Sequence, residues 1–156
     1  GVTNPNFKKI SKAYGINYAK KYRIPYIFIN TKMKNYENRI LLYLKKYKIS
    51  FICLAGYMRI ISEKILNNYR KRIINIHPSL LPKFKGLETF SRVLKSKEIK
   101  TGCTVHFVNK KLDSGSTITQ KFFYIKTKDN VEDLKKKTQK LEYRAFPEAI
   151  IKIFRD

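Results

Sequence analysis

Short apolar runs of strand length alternate with segments of helical period through the first half of the chain, and this constrains the fold more than any other feature. Gly1 to Thr3 reads as a strand stub and Asn6 to Tyr22 as a helix. Pro25 to Ile29 reads as a strand. Tyr36 to Tyr47 reads as a helix in which Ile40, Leu41, Leu44 and Tyr47 recur at helical spacing. Ser50 to Ala55 is a continuous apolar run ending at Gly56, the pattern of a strand covered on both faces. Ser62 is placed to cap a short helix reaching Asn68, and Arg72 to Ile76 is the next strand. This alternation predicts an α/β fold with a mostly parallel sheet and helices on both faces. The second half differs. Thr89 to Ser96 reads as a helix, and Gly102 to Val108 and Ser116 to Tyr124 read as a hairpin turning near Asp113-Ser114-Gly115. Val131 to Ile153 is a long final helix in which Pro147 predicts a kink or break. A length of 156 residues fits a single domain over 1–156.

The charge is unusual, with 35 Lys and Arg against 11 Asp and Glu, a net +24. Such an excess suits a polyanionic partner. However, the basic residues are spread along the whole chain, and Lys, Ile, Asn and Tyr are abundant together, as A/T-rich codons would make them. The run Lys135-Lys136-Lys137 with Lys140 reads as a solvated helix face. Phe122, Phe123 and Tyr124 form no known base-stacking module, so nucleic acid is not the expected partner. The two cysteines, Cys53 and Cys103, lie far apart with no CxxC spacing. That disfavours a metal cluster or disulfide framework and points to a reduced, cytoplasmic compartment. No apolar run reaches the roughly 18–20 residues of a membrane span. No GxGxxG or GxxxxGK[ST] phosphate cradle occurs.

In such folds sites lie beyond the C-terminal ends of the strands. One strand ends in Asn75-Ile76-His77-Pro78 and another in Gly56-Tyr57-Met58-Arg59. Asn75 and His77 are two apart in an extended segment that Pro78 terminates, so they share a side. An amide donor beside an imidazole can hold a developing oxyanion and move a proton. A polar strand end with two satisfied side chains has the same pattern. Asp113 is either a turn-capping aspartate or a partner that favours a charged His77. Thr104 and His106 share a strand face, which suits a site wall or a packed strand interior. Arg59 suits pairing with a carboxylate or a solvated surface position. Gln139 and Glu142 share a helix face, by default a solvated one.

The segment Asn75-Ile76-His77-Pro78-Ser79-Leu80-Leu81-Pro82 resembles the formyltransferase superfamily. So do Leu54-Ala55-Gly56-Tyr57-Met58-Arg59-Ile60, Gly102-Cys103-Thr104-Val105-His106-Phe107-Val108 and Leu112-Asp113-Ser114-Gly115, in the same order. The His77-Pro78 pair and Thr104-Val105-His106 favour the glycinamide ribonucleotide formyltransferases of purine biosynthesis over the methionyl-tRNA formyltransferases and the formyltetrahydrofolate deformylases. The resemblance implies a formyl transfer from 10-formyltetrahydrofolate to the amine of glycinamide ribonucleotide, with no metal. It implies Asn75, His77 and Asp113 as the catalytic trio. It puts Leu54, Gly56, Met58, Arg59, Ile60, Ile61, Asn75, Phe107, Val108 and Asp113 on the folate side. It puts Met58, Ile76, Pro78, Gln139 and Glu142 on the ribonucleotide side, with His106 and Thr104 behind the trio. A homodimer is compatible with it. Relative to the family pattern the chain begins after the first strand, the phosphate-gripping turn and a helix. A formate-releasing hydrolase, a basic nucleic-acid-binding protein and an inactive fragment are the competing expectations.

Overall fold

The structure, a computed structural model, describes residues 14–155. The chain, read from its sequence as one domain, divides into two compact units, Gly1–Ile40 and Leu41–Asp156. The strand expected at Gly1 to Thr3 and the start of the helix expected from Asn6 lie outside the described residues. In the first unit, α1 spans Tyr14–Lys21. Residues 25–29, expected as a strand, are irregular, and Tyr26, Ile27 and Phe28 are exposed. An apolar run becomes a strand only when a neighbour completes its ladder, and Pro25 offers no N–H to one. Helix α2, Tyr36–Lys46, runs across the boundary and buries Leu41.

The second unit holds β1 (Ile52–Leu54), α3 (Glu63–Asn68), β2 (Ile73–His77), α4 (Thr89–Lys95), β3 (Lys100–Phe107), β4 (Thr117–Tyr124) and α5 (Val131–Arg155). Its sheet has the order β1-β2-β3-β4. The β1–β2 pair is parallel, whereas β2–β3 and β3–β4 are antiparallel. The α/β class and the C-terminal hairpin agree with the sequence, but the described sheet is mixed rather than mostly parallel. β3 returns against β2 after α4, and nothing in a strand's own composition encodes that direction. β1 is shorter than its apolar run, and Cys53 on it is exposed, so this strand is not covered on both faces.

The central strands sort their side chains by alternation. Ile74, Cys103 and Val105 are fully buried with Ala145 and Ala149 of α5, and Phe51, Ile76, Phe107 and Leu141 pack around them. Each large buried aliphatic contributes about 1.5–3 kcal/mol, so this face carries much of the unit's cohesion. Asn75, His77, Thr104 and His106 alternate to the opposite face. The register sets Asn75 opposite His106 and His77 opposite Thr104. Covering that face are a strap over residues 79–88 and the loop between β3 and β4.

Pro147 neither ends nor interrupts α5. Pro147 and Tyr143 are both on the exposed side, where the carbonyl that loses its helical donor meets water. Gly102 lies where β4 approaches so closely that a Cβ would stand 1.9 Å from the Lys121 carbonyl oxygen. On α5, Glu142 is half-buried, and burial pushes its carboxyl above the usual glutamate range. Its charge adds to burial in pushing the Cys103 thiol up to about 12.

Two measurements follow. Gly102→Ala must push two strand backbones apart and is expected to cost about 2 kcal/mol in urea unfolding. An unchanged midpoint would contradict the close approach. Glu142 has a raised pKa when folded, so its carboxyl favours the fold at low pH and opposes it as pH rises through the folded value. Glu142→Gln should therefore be more stable than the parent at pH 7. The gain should vanish below about pH 4, where the unfolded glutamate is also protonated.

Candidate active site

The last ladder residue of β2 is His77, since Pro78 supplies no N–H, and the Ser79 N–H turns back to the His77 carbonyl at 2.9 Å. This leaves His77 at the strand's end, with its side chain 7% exposed. Nε2 of the ring lies 2.9 Å from the Phe84 carbonyl, and Nδ1 lies 3.3 Å from Asp113 Oδ2. Both neighbours are acceptors. The ring satisfies both only when each nitrogen carries a proton, as an imidazolium.

Asp113 reaches this position by a sharp reversal. It adopts a left-handed φ of 45°, which aspartate tolerates better than most residues. Two residues on, a Cβ at Gly115 would stand 1.6 Å from the Phe107 carbonyl oxygen, so the loop can press back on β3 only with glycine there. The Asp113 carboxylate is 7% exposed and accepts the Gly86 N–H at 2.8 Å. Its other oxygen lies 3.7 Å from His106 Nε2.

His106 donates from Nδ1 to the Phe107 carbonyl at 2.8 Å. Burial holds its ring below the usual imidazole range, aided by the charges of His77 and Lys85 and opposed by Asp113 and the Phe107 carbonyl. A neutral ring with Nδ1 protonated leaves Nε2 as an acceptor, and the Asn75 amide nitrogen stands 3.4 Å from it. That contact orients the Asn75 NH₂ and leaves its second hydrogen for another acceptor. The β3–β4 register slips beside His106, a bulge that re-aims side chains at this end of the strands.

A cleft opens beside the group. It is lined by Leu54, Arg59, Ile60, Ile61, Asn75, Val108 and Asp113 from the expected folate side, together with His106, Tyr57 and residues 109–112. Gly56, with φ of 66°, Met58 and Phe107 are not among its walls, and Met58 is exposed. Ile76 packs toward α5, and Glu142 on α5 acts electrostatically on Cys103 of that same face, while Gln139 is exposed. Thus the structure brings Asn75, His77, His106 and Asp113 together, and sets Ile76 and Glu142 on the opposite side of the sheet. Pro78 is half-buried at the strand end between the two faces. Thr104 is fully buried on the His77 side and bonds to the strap.

Some of the site carries no sequence signature. The Phe84 carbonyl and the Gly86 N–H are backbone groups. Lys85, half-buried, donates to Ser114 Oγ at 2.5 Å, next to Asp113. Among the described residues, no group of three or more His, Cys, Asp or Glu is arranged to hold a metal ion, and no helix is long and apolar enough to cross a membrane.

Comparison with known proteins gives the family. The formyl transferase family matches residues 7–150. The chain is 36% identical over 149 residues to the phosphoribosylglycinamide formyltransferase of Haemophilus influenzae, covering 91% of this chain and 68% of that protein. It is 38% identical over 140 residues to the chicken trifunctional purine biosynthetic protein adenosine-3, covering 87% of this chain and 14% of that one. The crystal structure of phosphoribosylglycinamide formyltransferase from Bacillus halodurans superposes with a TM-score of 0.85 at 36% identity, over 91% of this chain and 75% of that one. By the match over residues 7–150 and by these likenesses in sequence and fold, the chain belongs to the formyl transferase family.

Proposed function

We propose that this chain transfers a formyl group from 10-formyltetrahydrofolate to the amine of glycinamide ribonucleotide. The observation that carries this reading is the Asn75–His77–Asp113 set, in which Asn75 and Asp113 line the cleft and the buried His77 lies 3.3 Å from Asp113, in a chain whose relatives carry that enzyme's name. The donor's folate lies in the cleft bounded by Leu54, Ile60, Ile61 and Val108, with its formyl group toward Asn75. The ribonucleotide crosses the end of β2 at Pro78, with Ile76, Gln139 and Glu142 contributing from the α5 side.

The amine attacks the formyl carbon and a tetrahedral oxyanion forms. The spare Asn75 N–H donates to that oxygen while the neighbouring imidazolium stabilises its charge. The bond from the formyl carbon to the folate nitrogen then breaks. The proton released by the amine ends on that nitrogen, with Asp113 ordering the transfer. Every atom of the products comes from the two substrates.

The test is turnover of the donor with and without the ribonucleotide. Folate product should form only when both are present. His77→Ala should abolish it, and Asn75→Ala should lower kcat by roughly 10²–10³. Formate released without the ribonucleotide would instead make the chain a hydrolase. Activity indifferent to His77 would remove the trio from the mechanism.

A further inference from the structure

The hydroxyl of Thr104 is fully buried and uses all its hydrogen-bonding capacity on one target. It donates to the Ser79 carbonyl at 2.6 Å and accepts the Leu81 N–H at 3.0 Å. It also accepts from the Gln120 amide at 2.9 Å, and the same amide nitrogen donates to the Leu81 carbonyl at 2.9 Å. One donor and two acceptor sites are the whole inventory of a hydroxyl. All of them fix the start of the strap over residues 79–88, directly or through Gln120. The far end of the same strap meets the reacting pair. Its Phe84 carbonyl faces His77 Nε2 at 2.9 Å, and its Gly86 N–H donates to Asp113 at 2.8 Å. At this far end the backbone takes left-handed φ values of 57° at Phe84 and 78° at Gly86. Phe84 adopts such a conformation only where its surroundings enforce it.

We infer that Thr104, braced by Gln120, is a positioning residue for the His77–Asp113 pair. It touches no reacting atom and acts through the strap that presents one carbonyl to the imidazole and one N–H to the carboxylate. This inference rests on His77 and Asp113 being the pair that works in formyl transfer. Thr101, on the same strand, is an internal comparison. It too is buried, but its hydroxyl has no hydrogen-bond partner among the described residues. A threonine that merely fills a strand would behave like Thr101.

The test records the imidazole N–H signals of the ¹⁵N-labelled chain alongside kinetics with both substrates. In the parent and in Thr104→Ser and Thr101→Val, the His77 Nε2–H should be hydrogen-bonded and slow to exchange. In Thr104→Val that proton should exchange rapidly. There kcat should fall on the order of 10–100-fold, as misplacement of a working group does, with both KM values within about twofold. Gln120→Leu, at an exposed position, should move both readouts in the same direction and serves if Thr104→Val does not fold. A folded Thr104→Val, or in its place a folded Gln120→Leu, with parental His77 exchange and kcat would overturn the inference. The imidazole readout needs no turnover. The expected exchange pattern in a chain that transfers no formyl group would therefore support the strap and overturn the proposed reaction.

Discussion

A carboxylate held almost out of water needs donors and a countercharge, and the Asp113 side chain, 7% exposed, obtains both from one small set of groups. The Gly86 N–H supplies a donor. His106 lies within 3.7 Å, but burial disfavours its charged form. His77 Nδ1 lies closer, at 3.3 Å, and its second nitrogen meets the Phe84 carbonyl as acceptor. Breaking such a buried pair on one side typically costs 3–5 kcal/mol, because a charge is stranded. The left-handed turn at Asp113, the glycine at 115 and the strap all follow from completing this one arrangement.

The alternation of strands and helices, the same-side placement of Asn75 and His77, and the shared face of Thr104 and His106 could all be read from spacing, because they are local properties of extended chain. Strand direction could not. The segment Gly102 to Val108 has the composition of a strand in either sense, and its antiparallel return against β2 is decided by the connection before it. Residues 25–29 show the opposite limit. They are apolar enough for a strand but have no ladder partner among the described residues. Pro147 does not break α5, because a proline's helix penalty depends on which side loses its bond, and here that side faces water. The pairing of His77 with Asp113 is tertiary. Spacing could nominate both residues but could not join them, and it was silent on the backbone groups that complete their shell.

The large positive charge is peripheral to this architecture. The ion pairs that recruit the acidic residues, such as Lys83–Glu98, Lys110–Glu63 and Lys121–Glu148, lie in solvent-accessible surroundings. Pairs of that kind contribute little each. The pairing that organises the unit involves a histidine, not a lysine.

Alternation along β2 and β3 has a consequence for how such a chain tolerates change. Neighbouring positions answer to different demands, with Ile74, Cys103 and Val105 serving cohesion against α5 and Asn75, His77, Thr104 and His106 facing the proposed site. A coding drift that trades one aliphatic for another, as a skewed base composition does, falls on the first set and is absorbed by repacking. It leaves the second set untouched, although the two are interleaved residue by residue in the same strands. The sheet thereby separates mutational wear on the fold from wear on the proposed site.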